Sequence, residues 1–240
     1  MAEAALPRVL LLDLDDTILD DSGARDHCWD VACAEAAGRL GLETAALRRE
    51  LEDVRGWFWG DADRHRQWRT DMHGAIAELS WITLGRFGLD DRPAANELAR
   101  HHLELRSAAM CPLPGAMECL DELRRRDIPL GLITNGGSVG QWAKIERFGL
   151  APYFDYIGVE GEVGYGKPDP RAYRRALDGL GAAPAEAWMV GDNLVWDVGG
   201  PQALGISGVW VDRHGAGVPA DSDVRPHRIV AALAELVDAA

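Results

Sequence analysis

The chain has 240 residues, 47% of them apolar and 27% charged, a composition that suits a folded globular protein and excludes a disordered one. Its 25 basic residues against 39 acidic ones leave a formal net charge of −14, so it lacks the basic footprint that nucleic acid or an anionic membrane demands. A small anionic substrate is not excluded, because salt screens distant charge within about 10 Å and the local site decides.

The first sixteen residues read MAEAALPRVLLLDLDD, and the apolar run is too short for a signal peptide or a bilayer span. A cytoplasmic protein is expected. Cys28, Cys33, Cys111 and Cys119 show neither a CxxC pair nor paired histidines, so zinc is not expected and reduced, partly buried thiols are. Arg8 to Leu14 is a short continuous apolar run, the pattern of a strand covered on both faces.

Residues 20–110 break that pattern. They carry helical periodicity over Ala24 to Leu40, Thr44 to Val54, Thr70 to Phe87 and Pro93 to Ala109, with no convincing strand, and predict an inserted helical domain. Residues 1–19 and 111–240 then form the core domain. From Pro112 onward, short apolar runs alternate with helical patterns. A helix over Ala116 to Arg126 precedes a strand over Ile128 to Thr134. Ser138 is expected to cap a helix over Val139 to Phe148, and Gly149 to end it. A strand over Tyr156 to Glu160 follows, then a helix opened by Asp169-Pro170, with proline at the first helical position. Trp188 to Gly191 is a strand, Leu194 to Leu204 a helix stopped by Gly205, Gly208 to Val211 a strand, and a last helix begins at His227. Such alternation predicts an α/β fold, a three-layer Rossmann-like parallel sheet between helices.

The polar residues that do not fit a core fall in one kind of place. Asp13 and Asp15 follow the first strand, Thr134 and Asn135 end the second, Lys167 lies in the turn after the third, and Asp192 and Asp197 follow the fourth. In an open parallel sheet, the ligand crevice lies outside the carboxyl ends of the strands. Separate segments therefore deliver acids, a hydroxyl and a lysine to one edge.

DLDDT at Asp13 to Thr17, LITNG at Leu132 to Gly136, GKPDP at Gly166 to Pro170 and GDNLVWD at Gly191 to Asp197 resemble the four motifs of the haloacid dehalogenase superfamily, in that family's order. The helical insertion stands where the helical-cap subgroup carries one. The resemblance implies a Mg²⁺-dependent phosphatase acting through an aspartyl-phosphate. Asp13 would be the nucleophile, and Asp15 the general acid and then base. Asp13, the Asp15 backbone carbonyl and Asp192 would hold the metal. The resemblance implies small phosphorylated metabolites as substrates: acylneuraminate phosphates, other sugar phosphates, nucleoside monophosphates or phosphoglycolate. A monomer or homodimer is expected.

The chemistry agrees with these residue types. A carboxylate attacking a phosphate dianion needs a cation to offset the repulsion, and Asp13 and Asp192 are the hard oxygen ligands Mg²⁺ prefers. Dehalogenases of the family lack the second acid because a halide needs no proton, so Asp15 favours phosphoryl transfer. Thr134 offers a hydroxyl, and the Asn135-Gly136 N–H groups can cradle a phosphate, although TNGG also suits a plain strand-to-helix turn. Lysine occurs twice in this arginine-rich chain, which singles out Lys167 as a compact charge against Asp13 and the phosphoryl group. Lys144, on an amphipathic helix, is read as solvated. Asp197 is placed to orient Lys167 or a metal-bound water, and Asn193 to hold Asp192 or the metal's waters.

In the insertion, WFWGDADRHRQWR (Trp57 to Arg69) is the richest stretch. Arg64, Arg66 or Arg69 is a candidate to reach a second anionic group, with Arg66 and Arg69 favoured. Trp57, Trp59 and Trp68 are read as core. His101, His102 and the cysteines receive a structural reading only. A phosphomutase, a 2-haloacid dehalogenase and a non-catalytic binding protein on the same fold remain the alternatives.

Overall fold

The computed structural model describes residues 6–238. The chain divides into two compact units, one running to Asp20 and resuming at Cys111, the other Asp21–Met110. Among the described residues no helix is long and apolar enough to cross a membrane.

In chain order, β1 (Val9–Leu12) leads into α1 (Arg25–Leu40), α2 (Thr44–Gly60), α3 (Ala62–Trp68), α4 (Met72–Gly85) and α5 (Arg92–Ala109). The chain then forms α6 (Ala116–Arg125), β2 (Leu130–Thr134), α7 (Ser138–Arg147), β3 (Tyr156–Val159), α8 (Glu160–Val163) and α9 (Pro170–Leu180). Last come β4 (Ala187–Gly191), a π-helical turn (Leu194–Gly199), α10 (Gly200–Gln202), β5 (Ser207–Val211), β6 (Arg228–Val230) and α11 (Glu235–Asp238).

The strands form one parallel six-stranded sheet in the order β3-β2-β1-β4-β5-β6. This is the doubly wound arrangement, and the strand order reverses direction between β1 and β4. Val9 and Leu11 turn to the face covered by Tyr173, Ala176 and Leu177 of α9. Leu10 and Leu12, fully buried, point to the opposite face because alternate strand residues do. Leu12 pairs with Leu132 on one side and Val190 on the other, so the motif residues that follow these strands emerge at the same level.

The helical unit is built by caps and one apolar face per helix. Glu43 accepts from Ala45 and Ala46 N–H at 2.9 and 2.6 Å, and Asp61, Asp71 and Asp91 accept at the starts of α3, α4 and α5. Its core gathers Trp29, Leu47, Leu51, Val54, Phe58, Leu79 and Leu98. Leu47, Leu51, Val54 and Phe58 share one face of α2, so Trp57 is turned about 100° away from it and is 52% exposed, correcting its reading as core. Trp59 and Trp68 do pack against that cluster. The short helix α3 had no counterpart among the expected helices.

Two further expectations are corrected in the core. The stretch from His227 begins not as a helix but as strand β6. His227 N–H donates to Gly208 O at 2.8 Å and starts a ladder with β5. Ser138 is the first residue of α7 rather than its cap, a position held by Gly137, and its hydroxyl donates to Glu162 at 3.4 Å.

Candidate active site

Asp13 leaves the end of β1, where its N–H donates to Val190 O at 3.0 Å and extends the ladder by one step. Beyond it the chain doubles back. Ile18 and Leu19 N–H both donate to Leu14 O, Asp16 N–H donates to Leu19 O at 2.7 Å, and Asp16 takes a left-handed φ of 58°. Arg213, after β5, ties this loop through Asp16 at 2.8 Å and Asp20 at 3.0 Å. Asp13 and Asp15 therefore serve different neighbours although they lie only two positions apart.

Asp13 meets Lys167. The Lys167 ammonium, 1% exposed, donates to Asp13 Oδ1 at 2.6 Å and Asp197 Oδ1 at 2.7 Å. Burial by itself depresses an ammonium, but Asp13 and Asp197 outweigh it and hold Lys167 above its ordinary value. Asp197 reaches inward because the chain after β4 winds as a π-turn instead of the regular helix expected over Leu194 to Leu204. Its second oxygen accepts from Asn193 N–H at 3.0 Å, while the Asn193 side chain caps the turn on Val195 and Trp196 N–H, both at 3.0 Å. Gly191 is required here, since a Cβ on it would lie 2.3 Å from the Asp197 carboxyl.

The Lys167 backbone is fixed as well. Asn135 Nδ2 donates to Lys167 O at 2.8 Å and Asn135 Oδ1 accepts from Lys167 N–H at 2.7 Å. Gly136 N–H donates to Glu160 Oε2 at 3.1 Å. The sequence predicts that this donor faces a phosphate; in this structure the buried Glu160 carboxylate, which carries no motif signal, engages it. The only signal was an acid ending an apolar strand.

Asp15 faces α7. Its carboxylate accepts from Gln141 Nε2 at 3.0 Å and from Lys144 Nζ at 2.7 and 2.8 Å. Gln141 Nε2 also donates to Thr134 Oγ1. Lys144 is thus not the solvated surface lysine expected. Its place on an amphipathic helix was legible, but not the carboxylate that meets it.

Asp13, Asp192 and Asp197 each place a carboxylate oxygen within 4.8 Å of the others. Both Asp197 oxygens carry protein donors, which makes Asp13 and Asp192 the candidate metal ligands. Burial, with Asp197 and Asp16 adding repulsion, raises Asp192 to about 7. Burial also raises Asp13, against the pull of Lys167. Three carboxylates around one ammonium leave surplus negative charge on hard oxygens, a donor set that fits Mg²⁺.

Arg66 and Arg69 belong to the helical unit. Arg66 pairs with Asp63 at 2.9 Å on an exposed surface, and Arg69 is the C-terminal cap residue of α3. Arg64, a candidate for an anionic ligand, instead closes the end of α2. It donates to the Trp57 and Phe58 carbonyls at 2.6 and 3.2 Å and lies over the Trp57 ring at 3.9 Å. His102 is buried and stacked on Trp29 at 3.6 Å.

The family model for haloacid dehalogenase-like hydrolases matches residues 7–205. A phosphoserine phosphatase from Thermus thermophilus is 37% identical over 95% of this chain and 97% of its own. The N-acylneuraminate-9-phosphatase of Rattus norvegicus is 36% identical over 95% of this chain and 92% of its own. A solved HAD phosphatase from Thermococcus onnurineus superposes with a TM-score of 0.65 at 26% identity, covering 95% of each chain. With its sheet order and the matched length, the chain belongs to the haloacid dehalogenase-like hydrolases.

Proposed function

We propose that this enzyme is a Mg²⁺-dependent phosphatase that hydrolyses a small phosphate monoester through an aspartyl-phosphate on Asp13. The observation that carries the reading is the buried Lys167 ammonium bonded to both Asp13 and Asp197. Lys167 holds the Asp13 carboxylate in place through one oxygen, and the same positive charge offsets the approaching dianion.

In the first half-reaction, the Asp13 oxygen attacks phosphorus, the ester P–O bond breaks, and Asp15 gives its proton to the leaving oxygen. In the second, the Asp15 carboxylate takes a proton from the water that attacks phosphorus, releasing inorganic phosphate and restoring Asp13. Thr134 and the Asn135 backbone bind phosphoryl oxygens, and Asp197 orients Lys167. Mg²⁺, held by Asp13, Asp192 and the Asp15 carbonyl, would neutralise charge between the dianion and the acids.

Phosphatases of small phosphorylated metabolites among the relatives support that substrate class. Residues 20–110 are proposed as the cap that selects among such metabolites. The test is hydrolysis of p-nitrophenyl phosphate. Turnover that needs Mg²⁺, stops with chelator and is lost in Asp13→Asn supports the proposal. No turnover on a broad panel of phosphate esters defeats it. Halide release from a 2-haloacid without Mg²⁺ would assign the chain to the dehalogenases instead.

A further inference from the structure

Gln141 and Lys144 project three residues apart from one face of α7 onto the groups assigned to chemistry. Gln141 is 5% exposed, and its amide nitrogen spans Asp15 Oδ2 and Thr134 Oγ1. The orientation of this amide follows from donor and acceptor rules. Lys144 Nζ bonds both Asp15 oxygens, the pattern of the carboxylate form that acts as base in the second half-reaction, and because a carboxylate only accepts, the nitrogen of Gln141, not its oxygen, faces Asp15 in that form. The second hydrogen of the same NH₂ then goes to Thr134 Oγ1. A hydroxyl whose oxygen already accepts must send its own hydrogen elsewhere. In this structure it donates to the Asn135 carbonyl across a long 3.3 Å.

We infer that Gln141 is a positioning residue: it fixes the Thr134 hydroxyl as a donor toward the substrate phosphoryl group and, with Lys144, holds the Asp15 carboxylate in place. The inference rests on the roles proposed above for Thr134 and Asp15. Its physical content is preorganisation. A hydroxyl left to itself can rotate and either donate or accept, and only a donor aimed beforehand stabilises phosphoryl oxygens without reorganisation. Lys144 secures the other side of Asp15, at 2.7 Å from Oδ1. The two helical residues thus divide the work. Gln141 touches both the phosphate donor and the acid, and Lys144 bonds both oxygens of the acid.

The test uses Gln141→Met, Gln141→Glu and Lys144→Met in the full-length protein with Mg²⁺, p-nitrophenyl phosphate as substrate and inorganic phosphate as competitive inhibitor. Gln141→Met is expected to lower kcat/KM by about 10- to 100-fold and to raise the inhibition constant of phosphate. Gln141→Glu is expected to be worse, because its carboxylate would accept from Thr134 and repel Asp15. Lys144→Met should lower kcat without changing phosphate inhibition, more for phenyl phosphate than for the better leaving group, and Lys144→Arg should recover most of that loss. In a Thr134→Val background, Gln141→Met should no longer alter phosphate inhibition, which a purely structural role would not predict.

Additive losses in that cycle overturn the inference, as does a phosphate inhibition constant that Gln141→Met leaves unmoved. A rise in that constant for Lys144→Met equal to that for Gln141→Met would make the lysine a substrate ligand and refute the division of roles. Fully active Thr134→Val and Asp15→Asn enzymes would remove the underlying reading. Inactive ones beside an unaffected Gln141→Met would remove this inference alone.

Discussion

Lys167 and Asp13 form a 2.6 Å ion pair in which both side chains are almost wholly withdrawn from solvent. Such a pair is costly to desolvate and strongly destabilising to break, because the survivor is a buried, unmatched charge. Replacing Lys167 with Met leaves Asp13 and Asp197 facing each other. The expected outcome is a loss of about 3–5 kcal/mol in stability, read by urea unfolding without Mg²⁺, together with loss of turnover. Unchanged unfolding would mean that the carboxylates are held by something else.

Asp197 is packed so closely that Gly191 admits no side chain. A Cβ there would meet the Asp197 carboxyl at 2.3 Å and Cβ at 2.7 Å. Gly191→Ala is expected to cost about 1–3 kcal/mol and to reduce kcat by displacing the partner of Lys167. Thermal unfolding and steady-state rates check both. A fully stable, fully active variant would show that the π-turn shifts freely.

Surplus negative charge at Asp13 and Asp192 predicts stabilisation by metal irrespective of catalysis. Mg²⁺ at a hundred times its dissociation constant should add about 2.7 kcal/mol to folding. In a thermal melt the midpoint should rise with Mg²⁺ and fall back with chelator, and Asp192→Asn should lose most of the response. A midpoint indifferent to Mg²⁺ in the parent chain would contradict the assigned donor set.

His102 gives the helical unit an acid-sensitive element. Burial, aided by Arg106 and Arg55, lowers its folded value from 6.5 to about 3. The unfolded chain therefore binds the extra proton below about pH 6.5, and stability is complete above that pH and falls as pH drops toward 3. By pH 4.5 the loss should approach roughly 2–3 kcal/mol. Urea unfolding of the parent and His102→Gln at pH 7 and 4.5 tests this. The variant should lack that share of the acid dependence, and equal slopes in the two proteins would refute the assignment.

Much of the core could be read from residue order alone. Apolar runs alternating with helical periods gave parallel strands, and Lys167 stood out because the chain otherwise uses arginine. What failed were places where a neighbour, not the local pattern, decides the outcome. The segment after His227 becomes a strand because β5 offers it a ladder, and periodicity in so short a stretch cannot reveal that. The turn after β4 widens to bring Asp197 to Lys167. Lys144, Gln141 and Glu160 look like ordinary helix and strand-end residues until their partners are known.

The sequence by itself determined the strand-by-strand delivery of Asp13, Thr134, Lys167 and Asp192 to one sheet edge, because strand ends are fixed by local apolar patterning and parallel crossovers. Only the tertiary structure decided who holds whom. Asp15 and Gln141 are 126 positions apart, and Asp13 and Lys167 are 154 apart. Contacts of that separation depend on the packing of α7 and the turn after β3 against the sheet, which sets each side chain's partner after the local elements have formed.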